Sequence, residues 1–273
     1  MTDSRKILSK NKENDMQKEQ IKFADSDIFE GMPSISAAIK AIRSGDSDRR
    51  IEKIYIDTQK RASKSKEISF LAAVSAELGY AVEYVSEQYL SEITVGNTHG
   101  GIVAVCTPRT RKSLELSDII PDGVYYILDG IEDPYNFGNA LRSIYAAGAN
   151  GIVLSERNWL GAAGTVARAS AGASELLRAY ICDTESAVSM FRSKGYQIIC
   201  AGIRDSESIF ETDLSAPILV ILGGEKRGIS RSVLDLADKI VRIDYGTDSF
   251  KGSLSASASA AVFAFEILRY NKK

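Results

Sequence analysis

Short apolar runs alternate with amphipathic segments along the last 150 residues or so of the chain. The apolar runs predict strands at residues 125–128, 151–154, 176–181, 197–201, 218–222 and 240–243. The segments between and after them predict helices at residues 139–147, 162–173, 185–194, 231–237 and 256–269. Apolar strands that alternate with helices are typical of a parallel sheet covered on both faces. We therefore predict an α/β domain with a parallel sheet over residues 123–273.

The preceding part of the chain predicts a smaller α/β domain. Helices are expected at residues 35–42 and 67–78, and strands at 51–56, 81–85 and 101–105. This domain spans residues 26–107, and a polar, basic linker follows at 108–122. Residues 1–25 are charged and poor in large apolar side chains, so we expect a flexible tail. Two domains suit a length of 273 residues.

The final predicted helix carries an apolar stripe formed by Ala261, Val262, Phe265 and Leu268. Such a stripe faces the core in most helices of globular proteins. On a terminal helix it also suits a dimer interface, and both interpretations stay open.

Composition limits the possible functions. The chain is 44% hydrophobic and 26% charged, as in ordinary globular proteins, and no apolar run approaches the ~18 residues of a membrane helix. The N-terminal residues lack the apolar segment of a secretory signal. The chain has three cysteines, Cys106, Cys182 and Cys200, and none of them forms a CxxC pair. We expect a cytoplasmic protein without a disulfide framework, a metal site or a membrane partner.

The net charge of −2 does not favour nucleic-acid binding, but one segment is basic. Residues 40–66 contain nine lysines and arginines against four acidic residues. A solvated helix face with loop charges explains this pattern as well as an RNA-binding surface does. The candidate RNA contacts are Arg43, Arg49, Arg50, Lys53 and Arg61.

Three polar loops that contain glycine or small residues follow or precede predicted elements of the second domain. The first runs from Asp133 into a helix with Asn136 and Arg142, the second is Leu222-Gly-Gly-Glu225 with Gly228, and the third is Ser253-Leu-Ser255. Loops at the carboxyl ends of parallel strands are where open α/β sheets bind ligands. Each loop also has a simpler explanation. Arg142 suits a surface salt bridge, Glu225 suits a helix N-terminus, and the serines suit an N-cap.

Several known α/β sites are not supported by the sequence. It has no GxGxxG after a strand, no GxxxxGK[ST] loop and no GxSxG elbow. The only histidine, His99, lies in the first predicted domain, far along the chain from the loops. A hydrolase that depends on a Ser-His-Asp or Cys-His arrangement is therefore not expected.

Taken together, the loops resemble the three motifs of the SpoU–TrmH family of RNA ribose 2′-O-methyltransferases. The matching segments are Asn136-Phe-Gly-Asn-Ala-Leu-Arg142, Leu222-Gly-Gly-Glu225 and Ser253-Leu-Ser-Ala-Ser257, with Arg168-Ala-Ser-Ala-Gly-Ala173 between the first two. Residues 28–107 are similar to the small ribosomal-protein-like RNA-binding domain that precedes many such enzymes, with Thr98-His-Gly-Gly101 at a characteristic turn.

The resemblance implies a SPOUT fold with a deep trefoil knot at the C-terminal end, a homodimer, and S-adenosylmethionine as the cofactor. It implies catalytic roles for Arg142, Asn136, Glu225 and Ser253. It places the cofactor against Ala201, Gly202, Leu222, Gly223, Gly224, Gly228, Ile243, Ser253 and Leu254. Arg142 would act either as the proton acceptor or as a clamp on the neighbouring phosphate.

This chain departs from the family pattern at two places. Ser255 stands where the family usually has Asn, and Ile243-Asp-Tyr245 replaces an Ile-Pro-Met-like strand end and precedes a slightly longer loop. The expected function is methylation of a ribose 2′-hydroxyl in rRNA, ahead of tRNA. The alternatives are a non-catalytic RNA-binding or ribosome-assembly protein with the same fold and, from another class, a small-molecule enzyme that binds a nucleotide.

Overall fold

The structure is a computed structural model that describes residues 27–95, 99–155, 162–224, 228–247, 249–250 and 252–272. The expected tail at residues 1–25 lies outside the described residues. The chain forms two compact units. The first comprises the described residues up to Thr110 and a later helical segment that ends at Arg168, and the second comprises the rest from Arg111 onward. None of the described helices is long and apolar enough to cross a membrane.

A four-stranded sheet with helices on both faces forms the first unit. Its elements are β1 (Asp27–Glu30), α1 (Gly31–Arg43), β2 (Ile51–Asp57), α2 (Ser65–Leu78), β3 (Ala81–Val85), α3 (Glu87–Ile93) and β4 (Ile102–Cys106). The strand order is β1-β4-β2-β3, with β4 antiparallel to β1 and β2, and β2 parallel to β3.

Apolar spacing explains the helices of this unit. Ile35 and Ile39 of α1 and Leu71 of α2 pack with Ile54 and Ile56 in one core cluster. Helix α2 ends at Gly79, whose φ of 75° is a left-handed conformation that glycine adopts without strain. The five elements predicted here are present, while β1 and α3 were not predicted.

The second unit is built around an eight-stranded sheet. Its elements are β5 (Lys112–Ser113), β6 (Val124–Asp129), α4 (Pro134–Ala146), β7 (Gly151–Leu154), α6 (Ala173–Leu176), β8 (Ala179–Ile181), α7 (Thr184–Ser193), β9 (Gln197–Ala201), β10 (Glu207–Ser208), β11 (Ile218–Gly223), α8 (Arg231–Leu234), β12 (Lys239–Arg242) and α9 (Ala256–Asn271). Helix α5 (Ala163–Ala169) comes between β7 and α6 in the chain and belongs to the first unit up to Arg168. The order is β10-β12-β9-β11-β6-β7-β8-β5, and all neighbours are parallel.

The centre of this sheet is buried on both faces. On one face Tyr125 and Ile221 pack against Phe191 of α7, and on the other α9 packs against α4 and β11. Near-continuous apolar strands are what a two-sided parallel sheet requires. The prediction of an α/β fold with a mostly parallel sheet is confirmed.

One predicted helix is divided in two. Between α5 and α6 the chain turns through Ala171 and Gly172, which have φ values of 51° and 86°. As a result, the strand expected from residue 176 begins only at Ala179. Helix α5 contributes to the first unit up to Arg168, since Gly164 lies so close to the Ile28 carbonyl that any Cβ would overlap it. The helical pattern of these alanines carries no information about this turn.

One further prediction needs correction, and one of the two interpretations of the α9 stripe is excluded. From Arg111 onward the expected linker at 108–122 belongs to the second unit, because β5 pairs with β8 and Leu114 and Ile119 are buried in the core of this unit. The core face of α9 is formed by Ala260, Phe263, Ala264 and Ile267. The predicted stripe of Ala261, Val262, Phe265 and Leu268 instead lies on the partly exposed side, and Phe265 is 49% exposed.

Candidate functional site

A cavity of about 650 Å³ lies at the carboxyl ends of β9, β11 and β12, beside the start of α9. Strand ends from three neighbouring strands meet here because all of them are parallel. The nine residues predicted to hold the cofactor all line this cavity: Ala201, Gly202, Leu222, Gly223, Gly224, Gly228, Ile243, Ser253 and Leu254. Segments separated by about fifty residues of sequence are thus brought to one place.

Glycine is required in the loop after β11. A Cβ on Gly223 would lie 2.6 Å from the carbonyl carbon of Gly228, and a Cβ on Gly224 would overlap the carbonyl oxygen of Gly130. Gly228 has a φ of 61°, and its N–H donates to the Gly224 carbonyl at 3.0 Å. The backbone therefore lines the cavity directly. Glu225, the predicted catalytic carboxylate of this loop, lies outside the described residues.

The third loop leads into α9 through a serine N-cap. The Ser255 hydroxyl accepts a hydrogen bond from the Ala258 N–H at 3.2 Å, which satisfies a free donor of the first helical turn. This is the simpler role that the sequence offered for these serines. Ser253 and Leu254, just before the cap, line the cavity.

The first and third loops are joined by a side-chain hydrogen bond. Ser257 Oγ donates to Asn136 Oδ1 at 3.1 Å. Asn136 lies in the first turn of α4, where Asp133 accepts the Asn136 N–H at 2.7 Å and Pro134 occupies the first helical position. This hydrogen bond holds Asn136, a predicted catalytic residue, against the start of α9. Its partner Ser257 lies four residues after Ser253, which lines the cavity.

Arg142 lies two turns further along α4. It is exposed, does not line the cavity, and has no ion-pair partner among the residues that the structure describes. Among the described residues, Arg142 therefore does not form the surface salt bridge that the sequence suggested as an alternative. Its guanidinium is available to a ligand outside the cavity.

Two aromatic residues at the cavity were missed by the sequence analysis. Tyr245 and Phe250 lie in the loop between β12 and α9 and line the cavity. The preceding Asp244 accepts hydrogen bonds from the Ser208 hydroxyl and from Arg242 Nε, the latter at 2.8 Å. The Ser208 hydrogen bond, together with Arg242, holds the pKa of the Asp244 carboxyl below its usual value. The altered strand end Ile243-Asp-Tyr245 was the sequence signal for this feature.

The candidate RNA contacts of the first unit differ in their availability. Arg49 is 2% exposed: it pairs with the buried Asp27 and donates to the Thr107 carbonyl at 2.5 Å. The prediction of Arg49 as an RNA contact is wrong, because its guanidinium is buried and bound to groups of the first unit. Arg50 is exposed, whereas Arg43 pairs with Glu77 and Lys53 with Glu83.

Arg61 has a different environment. Its guanidinium carbon lies 4.5 Å from the ring centre of Tyr84, which is 39% exposed. Arginine stacked on an exposed tyrosine keeps its charge at the surface. Arg50 and Arg61 are therefore the candidates whose charges remain open to a phosphate.

The histidine of the chain, His99, has a structural environment. His99 is buried in the first unit and accepts the Gly101 N–H through Nδ1 at 3.1 Å. In the part of the chain that the structure describes, no group of three His, Cys, Asp or Glu residues could hold a metal ion.

The second unit is an α/β domain whose strand ends form a cavity lined by glycine loops, and a smaller α/β unit precedes it in the sequence. These features define a two-domain α/β protein with a small-molecule site at the strand ends. Comparison with known families agrees with this class. The model of the SpoU rRNA Methylase family matches residues 123–265, slightly more than half of the chain. The model described as RNA 2′-O ribose methyltransferase substrate binding matches residues 28–111. The chain belongs to the SpoU methylase family, and the prediction of an RNA methyltransferase is confirmed.

Individual proteins show the same similarity over nearly the whole chain. A putative TrmH family tRNA/rRNA methyltransferase, YacO of Bacillus subtilis, is 26% identical over 86% of this chain and 93% of its own. The 23S rRNA (guanosine-2′-O-)-methyltransferase RlmB of Shewanella oneidensis is 25% identical over 90% of this chain and 98% of its own.

Solved structures share the fold. A crystal structure described as an RNA 2′-O ribose methyltransferase superposes with a TM-score of 0.74 at 23% identity, covering 93% of this chain and 91% of its own. An AdoMet-bound rRNA methyltransferase from Sinorhizobium meliloti gives a TM-score of 0.72 at 23% identity, with the same coverage.

Proposed function

We propose that this protein transfers the methyl group of S-adenosylmethionine to a ribose 2′-hydroxyl of ribosomal RNA. The observation that carries the proposal is the cavity in the second unit, where all nine residues predicted for the cofactor meet. Support for an rRNA substrate comes from the description of the matching family and from the names of relatives such as RlmB. Transfer RNA is the second substrate to test, since YacO is named for both.

The cavity suits a cofactor with an adenosine and an amino acid part. Its volume of about 650 Å³ falls within the range of small-molecule sites. Leu222, Ile243 and Leu254 supply apolar contacts, while the glycine loop allows main-chain groups to approach polar atoms. When bound, S-adenosylmethionine would supply a methyl group activated on a sulfonium, so that no metal is needed.

The remaining task of the protein is to position the ribose and to handle its proton. We assign Arg142 to binding the phosphate next to the target ribose, because its side chain is exposed and the planar guanidinium group suits paired hydrogen bonds with phosphate oxygens. Asn136, held by Ser257, lies on the same helix and would orient the ribose hydroxyl. Ser253 would hold the cofactor at the cavity wall, and Glu225 or a water molecule would accept the proton.

The proposal includes three properties implied by the family resemblance. These are a trefoil knot at the carboxyl end of the second unit, a homodimer, and a cytoplasmic location. The partly exposed apolar stripe of α9, with Phe265 at 49% exposure, supports the dimer. The three cysteines are free, which suits a reducing compartment.

A methyl-transfer assay tests this function. The full-length protein is incubated with radiolabelled S-adenosylmethionine and with separate rRNA and tRNA pools from cells that lack the enzyme. Label that appears in rRNA at one position, with resistance to alkaline cleavage there, is the expected result. Label in tRNA alone would replace the substrate, and cofactor binding without label in either pool would favour a non-catalytic RNA-binding protein.

A further inference from the structure

The loop between β12 and α9 carries two large aromatic side chains at the cavity. Tyr245 is 37% exposed and Phe250 is 47% exposed, and both line the cavity that the proposed function assigns to the cofactor. The third aromatic residue of the lining, Phe263, is fully buried in the unit's core. Tyr245 and Phe250 are thus the aromatic surfaces that a ligand in this cavity would cover.

The rings of Tyr245 and Phe250 pack against each other. Their centroids lie 5.4 Å apart and the rings are tilted by 58°, an arrangement favoured by aromatic pairs. The Phe250 ring also lies over Gly252, where a Cβ would come within 2.9 Å of Cζ. The ring pair therefore connects Tyr245, near the end of β12, with Gly252, shortly before the start of α9.

Hydrogen bonds hold this loop at both ends. Before Tyr245, the Asp244 carboxylate is bound by Arg242 and by the Ser208 hydroxyl. At the other end, the Leu254 N–H donates to the Tyr245 hydroxyl at 3.2 Å. Tyr245 thus links the aromatic pair to the Ser253-Leu254 segment of the cavity wall.

We propose that Tyr245 and Phe250 form an aromatic wall that recognises the adenine ring of the cofactor, and that the Tyr245 hydroxyl positions the Ser253-Leu254 segment against it. This inference rests on the proposed function. Two half-exposed rings at the rim of a concave site lose contact with water when a flat π-system covers them, and adenine provides such a surface. Among the described lining residues, the others are mainly aliphatic, glycine or polar, and the one further aromatic ring, that of Phe263, is buried in the core.

The experiment measures binding by calorimetry with the full-length protein and three ligands. S-adenosylmethionine and S-adenosylhomocysteine share adenine and differ in the charge on sulfur, while 5′-methylthioadenosine lacks the amino acid part. The variants Tyr245→Leu and Phe250→Leu remove one ring each. Phe210→Leu is the matched control, because Phe210 is 61% exposed in the same unit but does not line the cavity.

We expect each ring removal to raise the Kd of all three ligands about tenfold, the order of magnitude of a base–aromatic contact. Phe210→Leu should bind all three like the unaltered protein. Phe250→Tyr keeps an aromatic ring and should bind all three ligands like the unaltered protein. Tyr245→Phe should raise the Kd about threefold relative to the unaltered protein, because the hydrogen bond from the Leu254 N–H is lost. Thermal unfolding of the ligand-free variants checks that the half-exposed positions tolerate the changes.

Other outcomes overturn the inference in distinguishable ways. Equal Kd values for Tyr245→Leu, Phe250→Leu and the unaltered protein would show that the rings do not touch the ligand. A loss confined to S-adenosylmethionine would show that they contact the sulfonium and not adenine. If the unaltered protein binds none of the three ligands, the proposed function itself fails.

Discussion

At the scale of single residues, Arg142 combines exposure with a position on the helix that carries Asn136. We expect Arg142→Ala to lower methyl transfer at least about 100-fold, because an oriented cation near the reacting groups is lost. The Kd for S-adenosylmethionine should stay unchanged, since Arg142 does not line the cavity. Calorimetry and the methyl-transfer assay measure the two effects separately. Full activity in Arg142→Ala would contradict the assignment.

A second residue-scale prediction concerns Arg49, whose side chain is buried with Asp27. Arg49→Met should destabilise the first unit by about 3–5 kcal/mol, because the buried Asp27 carboxylate would lose the charge of the Arg49 guanidinium. Urea denaturation followed by circular dichroism measures this change. Arg50→Met is the matched control, since Arg50 is exposed, and it should shift the free energy of unfolding by less than about 0.5 kcal/mol. Equal effects of both variants would contradict the buried role.

Residue type alone did not separate these two arginines. Arg49 and Arg50 are adjacent in the sequence, and the basic segment suggested the same RNA-binding role for both. Their fates differ because alternate residues of an extended segment point to opposite sides, and only Arg49 points to Asp27. The partner lies 22 residues away in the sequence, so the ion pair becomes visible only in the fold.

At the scale of elements, the glycine loop after β11 is closed too tightly for side chains. Gly224→Ala should raise the Kd for the cofactor at least about tenfold, because the added Cβ displaces the Gly130 backbone and with it the cavity wall. Gly246→Ala is the matched control: it lies in the loop after β12, and a Cβ there meets no atom within 4 Å. If Gly224→Ala binds the cofactor with the same Kd as the unaltered protein in calorimetry, the loop accommodates a Cβ and the prediction is wrong.

The start of α9 supports another element-scale prediction. Ser255→Ala should destabilise the second unit by about 1 kcal/mol, because the Ala258 N–H loses its acceptor. Ser255→Asn should preserve stability, since both residues are good N-caps, and this variant restores the residue usual in the family. Chemical denaturation of both variants measures the difference. A loss of stability in Ser255→Asn equal to that in Ser255→Ala would contradict a capping role.

Element-scale patterns also explain what the sequence could predict. Strands such as β7 and β9 coincide with their predicted ranges, because runs of three or four apolar residues bounded by turns are typical of strands in a buried parallel sheet. The cavity residues were predicted through the motif resemblance, and periodicity alone would not have found them. The sequence left two interpretations open for the apolar stripe of α9, because the small and apolar residues of this helix satisfy helical spacing in two phases. Only packing against α4 decides between these phases.

At the scale of the whole molecule, the partly exposed apolar stripe of α9 gives the proposed dimer a specific test. Phe265 is 49% exposed on the helix whose other face packs on the core, so a second copy of the chain is the proposed cover for it. Phe265→Asp would place a charge in that interface and should shift the protein from dimer to monomer in light scattering coupled to size-exclusion chromatography. Phe210→Asp, at an exposed aromatic position in the loop after β10, should leave the dimer intact. An unaltered protein that elutes as a monomer at micromolar concentration would remove the dimer from the proposal, while a dimeric Phe265→Asp would move the interface to another face.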